Sequence, residues 1–282
     1  MIIRLIAMAC VLASAGPVAA QARFKFFEPV TPPRAVQIVA HRGMQVLAPE
    51  NSVNAVLNCA SDYVEWAEVD VRLTKDGHHV ILHDDTLDRT TNGKGSVAAI
   101  TLDEFVKLDA GSWYAPRFNG QPPATLTELL KGAQGKVNLC LDCKEIDPEG
   151  LVREILAQKM ESQVIVYAAP PMLTRIRAAG KGAIATLARF QPTTTDFDVW
   201  VREVDPTAVE MEAEEITVDW CRRFHERGIR VEANALGTPR DRPATWARVI
   251  AAGVDWLQTD DPAALRFTEV RRRIPKFPVQ IA

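Results

Sequence analysis

Residues 65–83 read EWAEVDVRLTKDGHHVILH, and the parsing of this stretch decides the fold. Glu65–Leu73 and His79–His83 are strand-like runs joined only by Thr74-Lys75-Asp76-Gly77. Asp-Gly is a hairpin signal, and a parallel crossover needs a dozen or more residues, so the two runs are expected to pair antiparallel. Seven more short apolar runs lie along the chain: Gln37–His41, Val137–Cys143, Gln163–Ala168, Ala183–Leu187, Ala208–Glu212, Ile229–Ala233 and Trp256–Asp260. Helix signals separate many of them. Asn51-Ser52 precedes Val53, Val56, Leu57 and Ala60, which share one helical face. Thr125 and Glu128 form a capping box. Strands alternating with helices imply a parallel sheet. With the hairpin's return strand set aside, eight strands remain, the number of a closed parallel barrel. The predicted class is α/β, a TIM-like (β/α)8 barrel with a small inserted subdomain.

The ends and the insertion frame that barrel. Arg4, the apolar Leu5–Ala15 and the small residues Val18-Ala19-Ala20 read as a signal peptide over 1–20. The apolar run is too short to span a bilayer, so export to the periplasm or beyond the cell is expected. Residues 21–282 are then one barrel domain without a transmembrane segment. Residues 84–124 are too long for a simple strand-to-helix loop and read as an ordered unit near the barrel mouth. They carry an Asn92-Gly93-Lys94-Gly95 turn, a Thr101–Glu104 capping box and apolar Phe105, Leu108, Trp113, Tyr114 and Phe118.

The formal net charge of −3 leaves no electrostatic footprint for nucleic acid. Arg271-Arg272-Arg273 reads as a solvated helix face. Beyond residue 20 the cysteines are Cys59, Cys140, Cys143 and Cys221. Cys140 and Cys143 are three apart on a strand and face opposite ways, which argues against a local disulfide or zinc knuckle. Buried free thiols are expected. Oligomeric state is open.

In a parallel barrel, functional groups collect at the C-terminal ends of the strands. His41 ends the first run and leads into Arg42-Gly43. Glu68 and Asp70 share one face late in the second run, and the hairpin returns His83 to Asp70. Asp142 and Lys144 end the next long strand, again two apart. Three carboxylates at one rim repel unless a cation sits among them, and all-oxygen ligation favours a single hard divalent ion, Mg²⁺ or Ca²⁺. Arg42 and Lys144 suit the phosphate of a small phosphate ester. His41 and His83 suit general acid–base work near neutral pH. Glu210 and Glu212 end another strand. Glu212 is a candidate to approach the metal or a substrate hydroxyl, with a structural role weighed equally.

These residues stand in recognisable motifs. Ala40-His41-Arg42-Gly43, Pro49-Glu50-Asn51-Ser52, Glu68-Val69-Asp70, Thr74-Lys75-Asp76-Gly77, His83-Asp84 and Thr259-Asp260-Asp261-Pro262 resemble those of the glycerophosphodiester phosphodiesterase family. So do Leu87–Gly93 and Leu108–Trp113 within the insertion. The resemblance runs from about His41 to Pro262. It implies a TIM-like barrel and hydrolysis of glycerophosphodiesters to glycerol 3-phosphate and an alcohol. It also implies His41 and His83 as the acid–base pair, and Glu68 and Asp70 as metal ligands. The family's third ligand lies in Glu-x-Lys, which here is Asp142-Cys143-Lys144, one methylene shorter. The usual Ser-Phe is Tyr167-Ala168, and the usual Trp-Thr-x-Asn appears as Glu232-Ala233-Asn234. These departures bear on the alcohol accepted more than on the reaction.

Three other readings compete. A phospholipase D-like enzyme acting on lysophospholipids or sphingolipids shares the barrel and histidines but lacks the large insertion. A non-catalytic protein binding phosphoryl ligands would not need both histidines. A glycosidase explains the carboxylates but neither the histidines nor the cations.

Overall fold

In a computed structural model, which describes residues 24–273 apart from residue 194, nine strands follow in chain order: β1 (Gln37–Ala40), β2 (Trp66–Leu73), β3 (His79–Ile81), β4 (Asn138–Cys143), β5 (Val164–Tyr167), β6 (Ala185–Arg189), β7 (Ala208–Glu212), β8 (Arg230–Asn234) and β9 (Trp256–Thr259). Eight are parallel and close into a barrel in the order β1-β9-β8-β7-β6-β5-β4-β2, sealed by pairing of β1 with β2. The expected TIM barrel is therefore present. The expected signal peptide lies outside the described residues, as do the side chains of Arg271–Arg273. No helix among the described residues is long and apolar enough to cross a membrane.

Strand β3 turns back antiparallel on β2, with Val71 opposite Ile81 and Leu73 opposite His79. Gly77, at φ +79°, supplies the left-handed residue the turn requires. The next segment runs on from this hairpin. Leu87, Val97 and Phe105 bury against Val80 and Leu82 as a small core of their own. The Thr101–Glu104 capping box forms as its spacing implies, and Asp76 of the hairpin turn accepts from the Leu102 N–H at 3.0 Å. Trp113, Tyr114 and Phe118 remain outside that core and meet edge to face.

Helix α1 (Val53–Ser61) begins at Ser52, whose hydroxyl accepts from the Ala55 N–H. Its buried stripe is Ala55, Val56 and Cys59, flanked by Val53 and Ala60, whereas Leu57 stays half-exposed. Helix α3 (Leu126–Ala133, after the one-turn α2, Leu102–Phe105) carries the expected Thr125–Glu128 capping box. It buries Leu126, Leu129 and Leu130. Helices of this kind pack an apolar layer against the outward residues of the strands.

The inward residues form the second core. Val39, Trp66, Cys140, Ile165, Ala185, Leu187, Ala208 and Trp256 fill the barrel below its mouth. Phe26, from the segment before β1, plugs the bottom against Trp66 (5.0 Å between ring centroids) and Trp256 (5.4 Å). The Gln37 side-chain oxygen accepts from both indole N–H groups, at 2.7 and 3.1 Å, so the polar edges of the buried rings are satisfied. Cys140 faces this interior while Cys143 packs against the outer layer, and all four described cysteines are free.

The plug is testable. Phe26→Ala should cost about 3–5 kcal/mol, the usual range for emptying a buried aromatic site. Chemical denaturation measures this as a lower midpoint at unchanged slope. A loss below about 1 kcal/mol contradicts a structural role for residues 24–26.

Candidate active site

Alternation along each barrel strand sends every second residue inward. Applied to the strand ends, this brings His41, Glu68, Asp70, Asp142, Tyr167, Arg189, Glu210, Asn234 and Gln258 to one cavity of about 300 Å³ at the C-terminal mouth. His83 and Lys144 join it from the loops after β3 and β4.

Parallel pairing of β2 with β4 sets Asp70 directly opposite Asp142, with Glu68 two residues behind. One oxygen from each of Glu68, Asp70 and Asp142 lies within 4.8 Å of the others. This group could hold a metal ion, and its all-carboxylate donors suit a hard divalent cation. The charge is poorly compensated by the chain itself. Burial, then Asp70 and Asp142, push the Glu68 carboxyl well above the usual range. Burial also raises Asp142, against the pull of Lys144. The Lys144 ammonium lies 2.5 Å from Asp142 and 3.2 Å from Asp70. With the Arg42 guanidinium 3.6 Å from Asp70, it sets two positive charges beside three carboxyls.

Asp70 is pinned by Asn51, from the Pro49–Ser52 motif. The Asn51 amide donates to the Asp70 carboxylate at 2.8 Å, and its oxygen accepts from the Asp70 backbone N–H at 3.0 Å. Asn51 sits at φ +57°, a conformation asparagine tolerates better than most residues. Glu68 is held by the Arg42 backbone N–H at 2.9 Å. That N–H is brought in by the tight turn at Gly43, where a Cβ would lie 2.8 Å from the Ala55 backbone.

Both histidines are oriented by carboxylates. His41 Nδ1 is 2.7 Å from Asp260, and His83 Nδ1 is 2.7 Å from Asp84. The bond to His41 holds Asp260 below the usual carboxylate range. Arg89, then His83, does the same for Asp84. Two ionised acceptors require the imidazoles to donate from Nδ1, which leaves Nε2 as the exchangeable site on each ring. His41 Nε2 lies 4.0 Å from Glu68.

Arg42 is placed differently from the other expected residues. Its guanidinium donates to Glu50 at 2.8 Å and lies 3.6 Å from Asp70, outside the residues that line the cavity. Glu50 also accepts two bonds from Arg89, which in turn holds Asp84 at 2.7 Å. The chain Arg42–Glu50–Arg89–Asp84–His83 thus joins the loop after β1 to the insertion. Asp84, Glu50, Asp260 and Asn51 lie inside motifs visible in the sequence. Their roles were not legible because each acts on a side chain distant in sequence.

The far wall is built by β5 to β8. The Tyr167 hydroxyl and the Asn234 amide donate to Glu210 at 3.3 and 3.2 Å, and Arg189 lies 3.4 Å from it. Glu212 takes ion pairs from Arg189 and Arg240. It lies outside both the carboxylate trio and the cavity lining, so of its two expected roles the structural one matches its place.

Comparison with known proteins identifies the family. The model of the glycerophosphoryl diester phosphodiesterase family matches residues 41–264. A glycerophosphodiester phosphodiesterase of Caldanaerobacter subterraneus is 30% identical over 240 residues, covering 81% of this chain and 95% of that protein. One of Bacillus subtilis is 30% identical over 169 residues, covering 57% of this chain and 58% of that protein. Among solved structures, an Oleispira antarctica phosphodiesterase in complex with the product sn-glycerol-3-phosphate is similar with a TM-score of 0.69 at 25% identity. The match covers 82% of this chain and 96% of that one. The fold, the mouth-facing cavity and the family match converge: the chain belongs to the glycerophosphoryl diester phosphodiesterase family, a family of phosphoric diester hydrolases.

Proposed function

We propose that this protein hydrolyses glycerophosphodiesters to glycerol 3-phosphate and an alcohol, with His41 and His83 as the acid–base pair and one divalent cation at Glu68, Asp70 and Asp142. The observation that carries the reading is the pairing of two carboxylate-oriented imidazoles with a three-carboxylate cluster at one cavity. The relative solved with sn-glycerol-3-phosphate supports the product.

When bound, a divalent cation supplies Lewis-acid stabilisation of phosphoryl charge. The chain's own groups do the rest. Lys144 offers N–H donors to a phosphate oxygen from beside Asp70 and Asp142. One Nε2 removes the proton from the attacking hydroxyl, and the other returns a proton to the leaving oxygen. Asp260 and Asp84 keep those nitrogens available by holding Nδ1–H. Arg42 acts through Glu50 and Asp70, at the back of the site rather than on the phosphate. Export remains part of the proposal, supported by the pattern over residues 1–20.

The direct test is release of glycerol 3-phosphate from glycerophosphocholine with Mg²⁺ or Ca²⁺ present, run beside lysophosphatidylcholine. No turnover across a glycerophosphodiester panel removes the substrate assignment, and preference for the lysolipid favours a phospholipase D-like activity. His41→Ala and His83→Ala should each lower kcat by roughly 10²–10⁴ while leaving thermal stability near that of the parent. Unchanged rates in either variant refute the acid–base role. Asp84→Asn should also lower kcat, because a neutral amide no longer requires Nδ1 of His83 to be the donor.

Cation binding predicts a pH signature in stability. Glu68 has a folded-state pKa raised above its ordinary value of 4.5. The protonated form therefore favours the fold, fully so below about pH 4.5. This contribution is lost as pH rises through the higher folded value. In chelator the melting temperature should fall with rising pH across that interval. A divalent cation should reverse the fall, by about 3 kcal/mol at a hundredfold excess over Kd. Glu68→Gln should make the slope shallower, the raised Asp142 and Glu232 carboxyls keeping the rest, and should remove the response to the cation. A wild-type protein whose melting temperature ignores Mg²⁺, Ca²⁺ and Mn²⁺ contradicts the metal site.

A further inference from the structure

The depth of the cavity contains a carboxyl that the reaction described above does not use. Glu232, on β8, is 1% exposed, and its Oε2 has no hydrogen-bond partner among the described residues. Gln258, the inward residue of β9, is 5% exposed, and its Oε1 is likewise unpartnered. Both residues line the cavity. Buried acceptors left without donors are costly, at roughly 1–3 kcal/mol each, and such pairs in one cavity point to a ligand that brings N–H or O–H groups.

The neighbouring donors are already committed. Tyr167 and Asn234 donate to Glu210. Arg189 is shared between Glu210 and Glu212, and Arg240 takes the other oxygen of Glu212. Lys144 is held by Asp142 and Asp70. Glu232 is left with a like charge as its neighbour, because β7–β8 register sets it opposite Glu210. Burial first, and Glu210 second, push its carboxyl well above the usual range. A cationic donor answers both deficits, the missing hydrogen bonds and the missing positive charge. A quaternary ammonium has no N–H to give and is ordinarily held by several aromatic faces, whereas Tyr167 is the one phenyl-type ring among the described lining residues.

We propose that Glu232 and Gln258 form a subsite for a primary ammonium on the alcohol of the substrate, so that among glycerophosphodiesters this protein selects those ending in an aminoalkyl group. This rests on the phosphodiesterase reading above and adds the class of alcohol. Both oxygens are enclosed, so Glu232 and Gln258 turn them toward the cavity to accept from the ammonium, while the phosphodiester lies at the carboxylate trio and the two histidines.

The test compares kcat/KM for glycerophosphoethanolamine, glycerophosphocholine and glycerophosphoglycerol, with the divalent cation present. The wild type should favour the ethanolamine ester by about tenfold or more over both others, the scale of one charge-assisted hydrogen bond. Glu232→Gln, which keeps the shape and removes the charge, should lower kcat/KM for the ethanolamine ester at least about tenfold more than for the glycerol ester. Calorimetric binding of phosphoethanolamine against phosphocholine, to the same two proteins, reads the subsite without turnover. Turnover of all three esters without the ammonium preference overturns the proposal. So does preference for the neutral polyol, or an equal loss on every substrate in Glu232→Gln. A neutral Glu232 that closes on Gln258 as an acid–amide pair would leave the ratios unmoved and is rejected or upheld by the same comparison. If no ester is turned over but phosphoethanolamine binds in a Glu232-dependent way, the subsite stands and the reaction assignment falls.

Discussion

The structure turns on the repulsion among Glu68, Asp70 and Asp142. Two unit charges about 4 Å apart cost roughly 4 kcal/mol at the effective dielectric of a partly buried site, and the trio lies within 4.8 Å. Parallel pairing of β2 and β4 makes this juxtaposition unavoidable, because Asp70 and Asp142 occupy the same register position. The surroundings then read as a set of responses to it. Lys144 bridges two of the acids, Asn51 clamps Asp70, and the backbone of Arg42 holds Glu68. None of these removes the charge excess, and the group could hold a metal ion.

The same constraint explains how the periphery is organised. Arg42 and Arg89 carry positive charge toward the acids from behind, with Glu50 between them. Arg89 belongs to the insertion, and through Asp84 it reaches His83. The segment between β3 and α3 therefore bears on the site. It holds one of the two imidazoles through a carboxylate kept ionised by Arg89, while its small core anchors it to the hairpin. His41, after the neighbouring strand β1, depends on Asp260, whose own backbone N–H donates to the Asp241 carboxylate at 2.6 Å. The two histidines are thus supported by unrelated parts of the chain.

Much of the fold was legible because it rests on local signals. The Asp76-Gly77 turn, the capping boxes at Thr101 and Thr125, and the alternation of inward residues all act over a few positions. The same alternation carried Glu68 with Asp70, and Asp142 with Lys144, to one cavity. Arg42 was less legible. Its position beside His41 suggested phosphate binding, but the direction of a long side chain depends on which carboxylate lies behind it, and Glu50 arrives from a different turn. Glu212 shows the same limit, since two arginines, from β6 and from the loop after β8, claim it.

Sequence alone determined the strand count, the antiparallel return of β3, and the residue types gathered at the mouth of the barrel. Those follow from periodicity and turn chemistry, which are properties of short segments. Tertiary structure decided which carboxylate orients each histidine, that Arg42 faces Glu50, and that Glu232 and Gln258 are left without partners in the cavity. These are outcomes of barrel closure, which places strands far apart in the chain at adjacent positions. Whether a buried polar atom finds a donor depends on all its neighbours at once, and no local pattern carries that information.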